Sequence, residues 1–286
     1  MTLGAAQIIA GSGGWRLGRQ PGPDLAALVI GRPVEDVAAL LPRLFNLCRM
    51  AQSTAACMAL GLPCKGDPGA EVIRDHVARI FVTLRRAFGM APIRPHVAGV
   101  FGPAGRLPRD LGELTGWLAA DSPAADLARA VVQTFPVGMA LCRPLPASQG
   151  TQTGAFENSP AGRQAAHPLL RAIEADQGRG PLWRYLGMLA DLEAALAGQL
   201  PAPRRLPDGT AVVQAARGAY ALRLGQSAGR VTEMTRVTPT DHQLAPGGAL
   251  EQALAGLSPN RPDLALRLVA LHDPCIPVTQ PEVCHA

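Results

Sequence analysis

The chain has 286 residues, of which 48% are hydrophobic and 17% are charged. A chain of this length can bury about three quarters of its unfolded surface, so this composition excludes a disordered protein and one that depends on disulfides. The net charge is +5, but Lys65 is the one lysine and the arginines are dispersed. Dispersed arginines do not form the basic patch that binding to phosphates requires, so no nucleic-acid partner is predicted.

The first half of the chain is predicted to be helical after an irregular or strand-like beginning at 1–33. The clearest helix is predicted over 34–62, where apolar residues recur at steps of three and four. The segment 63–69 contains Pro and Gly residues that end the first helix, and a second helix is predicted over 70–88. Four prolines predict a loop over 89–109.

The second half contains further helices and one linker. Ser122 followed by Pro123 is typical of a helix start, and we predict a helix from there to near Pro136. The polar, Pro- and Gly-rich segment 143–162 is predicted to be a linker. Additional helices are predicted over 163–176, 181–198, 248–257 and 262–271.

One stretch has the character of β-structure. β-branched residues and partial alternation predict a small antiparallel sheet at 210–238, with turn signals at Asp208-Gly209 and Ser227-Ala228-Gly229. The chain shows no internal repeat and no strong domain break. We therefore predict a mainly α fold with a small antiparallel β-sheet near 210–238, in a single domain over 1–286.

A possible nucleophile motif lies inside this sheet. Residues 225–229 match the G-x-S-x-G pattern of serine hydrolases, and Asp241, Asp263 and His272 follow in a permissible order. A nucleophile elbow needs a strand before the serine and a helix after it. Because another strand is predicted after Ser227, a hairpin turn is favoured over a hydrolase site.

The six cysteines form no C-x-x-C pair, which argues against a zinc ribbon or a redox dithiol. No stretch of about 18 apolar residues occurs, so no membrane association is predicted, and we expect a cytoplasmic protein with reduced cysteines. Cys48 lies in a predicted amphipathic helix, and Cys275 lies at the start of a loop near the other end of the chain. Two such thiolates suit a soft or borderline metal, whereas the plain alternative for each is a buried apolar side chain.

The surroundings of Cys48 are similar to an N-terminal motif of nickel–iron hydrogenase large subunits, R-x-C-G-x-C-x-x-x-H. Arg43 holds the place of its arginine, and Cys48 keeps its second cysteine. Phe45 replaces the first cysteine, Asn46 the glycine and Gln52 the histidine. One of two thiolate positions is thus lost here.

The surroundings of Cys275 resemble the C-terminal motif of the same family, D-P-C-x-x-C-x-x-H. Asp273, Pro274 and Cys275 keep its beginning, while Val278 replaces the second cysteine and Pro281 the histidine. Two of the four thiolates that the family uses for its nickel–iron site are therefore absent. The resemblance implies that nickel binding and hydrogenase activity are lost.

Two segments between these motifs also resemble the large subunit. VQAARGAY is similar to E-A-P-R-G-A, which places the family's arginine at Arg217, and RVTPTDHQ is similar to V-V-P-T-T-W-N, which places its Pro-Ser/Thr pair at Pro239 and Thr240. In the large subunit, these elements contact the cyanide ligands of the iron. The resemblance therefore implies that Arg217 donates to one cyanide and Thr240 to the other, although plain roles in an ion pair and a turn are alternatives.

A shell of the large subunit without the nickel ligands resembles the HupK/HoxV-type hydrogenase maturation proteins. The resemblance implies a non-catalytic scaffold that binds iron with cyanide and carbonyl ligands and passes it to the hydrogenase large subunit precursor. A small HypC-type maturation chaperone is the second partner that it implies. The alternative is a metal-free chaperone or interaction protein for the same partners.

The resemblance implies metal ligation by Cys48 and Cys275, but the position of Cys275 matches a nickel ligand and not an iron-bridging one. Three alternatives stay open for the second thiolate. Cys275 turns toward the iron, Cys284 in the C-terminal segment replaces it, or Cys48 binds alone.

Overall fold

Helices make up most of the regular structure in the computed structural model, which describes residues 4–45 and 47–279. Asn46, Pro281 and Cys284 therefore lie outside the described residues. About 44% of the chain is helical and 17% is in strands, which confirms the prediction of a mainly α fold. The helices are α1 Leu25–Val29, α2 Val34–Leu44, α3 Arg49–Leu60, α4 Pro68–Ala78, α5 Leu84–Ala87, α6 Leu111–Leu118, α7 Pro123–Thr134, α8 Pro160–Arg163, α9 Pro168–Gln177, α10 Pro181–Leu196, α11 Pro239–Gln243, α12 Ala249–Ala255 and α13 Pro262–His272.

The predicted antiparallel sheet is present and is joined by a second one. Its strands are β3 Arg204–Arg205, β4 Ala211–Ala215, β5 Gly218–Ser227 and β6 Arg230–Val237, in the order β3-β4-β5-β6. The turn from β5 to β6 contains Ala228 and Gly229, which both have positive φ angles, of 48° and 71°. Such a two-residue turn matches the twist of a hairpin, so the hairpin interpretation of this segment is confirmed.

The second sheet joins the two ends of the described chain, and the prediction of one sheet was incomplete. Strands β1 Ala5–Gly11 and β2 Gly14–Gln20 form an antiparallel hairpin within the segment predicted to be irregular or strand-like. The short strand β7 Val278–Thr279 pairs in parallel with β1. The sheet therefore brings the segment after Cys275 to the beginning of the chain.

The predicted helix over 34–62 is in fact two helices, α2 and α3, and Cys48 lies between them rather than inside a helix. Phe45 ends α2 in an extended conformation, and Cys48 precedes α3 with a φ angle of 54°. Apolar residues continue the helical spacing across this break, so the pattern alone could not reveal it. The break lies at the position where the N-terminal cysteine motif of the sequence predicts part of a site.

Most of the remaining predicted helices are confirmed with small shifts, but the one predicted over 163–176 begins only at Pro168, after the separate short helix α8. The helix over 70–88 forms as α4 and α5, with one π-helical turn, Arg79–Thr83, between them. Ser122 caps α7 by accepting a hydrogen bond from the backbone N–H of Ala125, as its sequence predicts. The segment 143–162 was wrongly predicted to be a mere linker, because it buries Asn158 and the residues on either side of it.

Two clusters of buried apolar residues lie in the fold. The larger one is built around α10, with Trp183, Tyr185 and Leu189 nearly inaccessible to solvent. The smaller one forms where α3 packs on β4 and β5. On α3 the buried residues are mostly alanines, and such short side chains let the helix approach the sheet closely. This packing holds the start of α3 beside the start of β5.

Candidate functional site

A cavity of about 280 Å³ opens where four segments of the chain meet. These segments are the connection between α2 and α3, the start of β5, the end of β6 and the chain after α13. Cys48, Cys275, Arg217 and Pro239 all line it. The structure thus brings together four of the five residues that the sequence singles out, and the fifth, Thr240, is bonded to the backbone of one of them.

Cys48 is held at the cavity by the N-terminus of α3. The side chain of the N-cap residue, Cys48, does not cap α3. Instead, the buried carboxylate of Glu71, on α4, accepts hydrogen bonds from the backbone N–H groups of Met50 and Ala51. Its negative charge also suits the positive end of the helix dipole. This cap comes from another helix, and it fixes the position of the Cys48 backbone.

The thiol of Cys48 is half-buried, and burial raises its pKa to about 11. The nearby guanidinium of Arg217 opposes this shift, while the carboxylates of Glu71 and Asp75 add to it. With such a pKa the thiol is protonated at neutral pH. Any metal that binds it must therefore displace a proton.

Cys275 is fixed through its backbone. Its N–H donates a hydrogen bond of 2.7 Å to Oγ1 of Thr240, a residue that is only 2% exposed. Thr240 lies in the first turn of α11, which begins at Pro239 and is closed by a capping box between Thr238 and Asp241. The predicted Pro-Thr pair is therefore the rigid support of the second cysteine.

Arg217 lies in the tight turn between β4 and β5 and is 8% exposed. The next residue, Gly218, has a φ angle of 136°, and a Cβ there would lie 2.5 Å from the backbone oxygen of Asn158. The side chain of Asn158 in turn holds the strand start, with an Oδ1 that accepts from the N–H of Ala219 at 2.6 Å. Only glycine fits this approach, so the turn that presents Arg217 is closely specified.

The guanidinium of Arg217 connects the two cysteine segments. Its Nε lies 2.9 Å from Oδ2 of Asp273, and its Nη1 lies 3.6 Å from Sγ of Cys48. Burial alone would lower the pKa of Arg217, but Asp273 and the two cysteines together raise it. The arginine is thus both ion-paired, as the plain reading of the sequence proposes, and placed in the cavity, as the resemblance implies.

The motif positions at which other residues replace the family's ligands lie in two different places. Phe45 and Gln52 line the cavity. Nε2 of Gln52 donates to the carbonyl of Leu47 at 2.9 Å, but its buried Oε1 has no hydrogen-bond partner among residues 4–45 and 47–279. Val278 instead lies in β7 and packs against the larger apolar cluster. The position of the missing fourth cysteine has therefore become part of the core.

Sequence reasoning missed two residues of the cavity, Arg236 and Tyr220. The guanidinium of Arg236 lies over the ring of Phe45, 4.8 Å from its centroid. Burial raises the pKa of Tyr220 to about 12, although Arg236 opposes the shift. Both residues lie in strands, where alternation shows which residues share a face but not that the face borders a cavity.

Two other site types are not supported. In the part of the chain that the structure describes, no group of three or more His, Cys, Asp or Glu side chains could hold a metal ion. Ser227 ends β5 and is followed by the hairpin turn and β6, so the strand–serine–helix geometry of a hydrolase is absent from this segment. The serine hydrolase interpretation is therefore wrong.

No helix among the described residues has the length and apolar character needed to cross a membrane.

Comparisons of the fold find nickel–iron–selenium hydrogenase large subunits. The reduced enzyme of Desulfovibrio vulgaris Hildenborough superposes with a TM-score of 0.54 and 14% identity, covering 93% of this chain and 94% of that one. A reduced, active enzyme of Desulfomicrobium baculatum gives 0.53 and 13%, with coverage of 94% and 95%. At such identities the likeness concerns the fold.

Comparison at the sequence level is more specific. No protein-family model matches the chain. A protein of Rhodobacter capsulatus, named hydrogenase expression/formation protein HupK, is 43% identical over 274 residues, which cover 92% of this chain and 91% of the relative. Identity at this level over nearly the whole length of both chains shows that this chain belongs to the HupK family of hydrogenase expression/formation proteins.

Proposed function

We propose that this protein is a non-catalytic scaffold in hydrogenase maturation, which holds an iron fragment with cyanide and carbonyl ligands before the fragment passes to the large subunit precursor. The observation that carries the proposal is the meeting of Cys48, Cys275 and Arg217 at one cavity. These residues come from opposite ends and the middle of the sequence. A fold that had lost all metal-related function would have no need to keep two thiols and an arginine together there.

The number of thiols supports iron already carrying diatomic ligands rather than a bare metal. Two cysteines fall short of the closed set of four protein ligands that is typical of structural metal sites. An iron dicyano-carbonyl fragment brings three strong ligands of its own and needs only a few more. Nickel is disfavoured because Phe45 and Val278 stand where the large subunit has two further thiolates. Soft thiolates are the ligands that such a site requires.

The polar groups of the cavity suit the cyanide ligands. Arg217 would donate a charge-assisted hydrogen bond to one cyanide nitrogen. The hydroxyl of Thr240 accepts from the N–H of Cys275, so its own hydrogen is free to donate. Pro239 and Thr240 would thus form the second contact, at the rigid start of α11.

The tether between Cys275 and Thr240 bears on the choice of the second thiolate. Because the backbone of Cys275 is fixed at the cavity, its side chain can reach the cargo by rotation about its own bonds. This favours ligation by Cys48 and Cys275 over ligation by Cys48 alone. Cys284, the third alternative, lies outside the described residues.

The proposed partners are the hydrogenase large subunit precursor and a small HypC-type maturation chaperone. The proposed compartment is the cytoplasm, because metal ligation needs reduced thiols and that compartment keeps them so. The competing function is a metal-free chaperone for the same partners.

Infrared spectroscopy of protein co-expressed with the maturation machinery and purified without oxygen separates the two functions. Cyanide and carbonyl stretches fall in a window without protein bands. We expect these bands in the wild-type protein and their loss in Cys48→Ala. Cys57→Ala is the matched control, because Cys57 lies in α3, the helix that Cys48 precedes, but does not line the cavity, and it should keep the bands. If wild-type protein that is fully bound to its maturation partners shows no such bands, the metal-free function is favoured.

A further inference from the structure

The cavity contains a second guanidinium, that of Arg236, whose charge has no acidic partner. Arg217 is neutralised by Asp273 at 2.9 Å. Arg236, in contrast, has no carboxylate within 4.0 Å among residues 4–45 and 47–279. Its guanidinium lies over the ring of Phe45, and it acts on the hydroxyl of Tyr220, where it opposes the rise in pKa that burial causes. The two arginines of the cavity are therefore electrostatically unlike.

Arg236 is held in this place by the fold rather than extended into solvent. It lies near the end of β6, opposite Leu222 of β5, and it is half-buried. The ring of Phe45 at the end of α2 supports its guanidinium by a cation–π contact of 4.8 Å. Phe45 occupies the place of the first cysteine of the family motif. The same replacement that removes a thiolate thus provides the support for a cation.

The charge of the cavity wall follows from its composition. Two arginines and no aspartate or glutamate are found among the described residues that line it. A half-buried charge without a counterion is unfavourable unless an anion or water compensates for it. A volume of about 280 Å³ leaves room for such an anion between the arginines and the thiols.

We propose that Arg236 makes the cavity selective for anionic ligands, so that it accepts its metal as a preformed complex that carries cyanide and disfavours bare divalent cations. The inference rests on the proposed function for the identity of the cargo, but the anion selectivity follows from the charges alone. Arg236 is in this view a specificity-determining residue. An iron(II) fragment with two cyanides and one carbonyl is neutral by itself and carries two negative charges once two thiolates bind it, whereas a bare dication with the same thiolates is neutral. Arg236 stabilises the negative charge of the first complex and repels a free cation that approaches the two thiols.

Thiocyanate is a suitable probe because it is a small pseudohalide anion with its own infrared band and does not require thiol exchange. We expect its dissociation constant, measured from the shift of that band in metal-free protein, to rise about tenfold in Arg236→Gln, the loss of one charge-assisted contact. Arg236→Lys, which keeps the charge, should retain most of the affinity. Arg204→Gln is the matched control, since Arg204 is exposed, lies in the same sheet and does not line the cavity.

Zinc ion provides the opposite probe. In competition with a chromophoric chelator, Arg236→Gln should bind Zn²⁺ several-fold more tightly than wild type, while Arg236→Lys and Arg204→Gln should not. The proposal is overturned if thiocyanate binds wild type and Arg236→Gln equally, or if zinc affinity does not rise. Such a result with intact cyanide and carbonyl bands in wild type would leave the scaffold function standing. The converse result, anion selectivity in a protein without those bands, would instead contradict the scaffold function.

Discussion

Two buried polar groups of the molecule have opposite characters. Around Asp191 of α10, both carboxylate oxygens accept hydrogen bonds, from Nε2 of His76 at 2.8 Å, from Nε of Arg163 at 2.7 Å and from Nε2 of Gln164 at 3.0 Å. In the cavity beside Cys48, in contrast, the buried Oε1 of Gln52 has no hydrogen-bond partner and Arg236 has no carboxylate within 4.0 Å among residues 4–45 and 47–279. The carboxylate of Asp191 is thus satisfied within the protein and serves the fold, whereas the cavity offers polar groups with which a ligand can pair.

The largest expected effect is on the satisfied group. Asp191→Asn removes a charge that is fully buried and leaves Arg163 without its anion, and such a loss typically costs about 3–5 kcal/mol in the free energy of unfolding. Denaturant unfolding followed by circular dichroism would measure it. Asp263→Asn is the control, because Asp263 is largely exposed and pairs only with the exposed Arg261. Equal stability of the two variants would contradict the structural role of Asp191.

The pH dependence of stability should reflect the same group. Burial lowers the pKa of His76, and it lowers that of His272 further, together with the nearby Arg184 and Arg79. Burial opposes the shift of Asp191, but Arg163 and His76 hold its pKa well below the ordinary value.

In all three cases the folded pKa lies below the unfolded one, so the unfolded chain binds protons first. The stabilisation is complete above the unfolded pKa and is lost as the pH falls from there through the folded pKa. We expect the denaturant midpoint, and with it the free energy of unfolding, to change little down to about pH 7 and then to fall toward pH 5. The free energy of unfolding should fall by up to about 1.4 kcal/mol per pH unit for each histidine. A midpoint that is constant over this range would show that these histidines do not stay neutral in the fold.

Arg217→Leu should have a smaller effect on stability and a larger one on cargo. Asp273 loses its partner at 2.9 Å but keeps Arg79, whose Nε lies 3.4 Å away, so we expect a cost of about 1–3 kcal/mol and a folded protein. The cyanide and carbonyl bands of co-purified protein should weaken or shift. Bands of wild-type intensity and frequency in a folded variant would remove Arg217 from the set of cyanide contacts.

Local sequence signals predict much of the helical fold. The cap and proline at Ser122-Pro123 predict the start of α7, and turn signals predict the hairpin at 227–229, because these features act over a few residues. The break at Cys48 could not be predicted, since apolar spacing continues through it and its cap comes from Glu71 on another helix. Strand β7 could not be predicted from the sequence either, because its two residues form a strand only through their pairing with β1.

The candidate site could be predicted in part for a different reason. Cys48, Arg217 and Cys275 are found through short motifs that resemble those of a known family, and no local pattern would place them in one cavity. Arg236 could not be identified in this way, because it occupies none of the matched motif positions. Its importance follows from a contact with Phe45, which is a property of the tertiary structure.

Iron-edge X-ray absorption of wild-type protein, co-expressed with the maturation machinery and purified without oxygen, is the decisive measurement for the proposed cargo. We expect iron with sulfur neighbours and with short iron–carbon distances from its diatomic ligands, and a nickel content far below that of iron. Stoichiometric nickel in the same preparation, or iron without carbon and sulfur neighbours, would show that the protein does not hold this fragment.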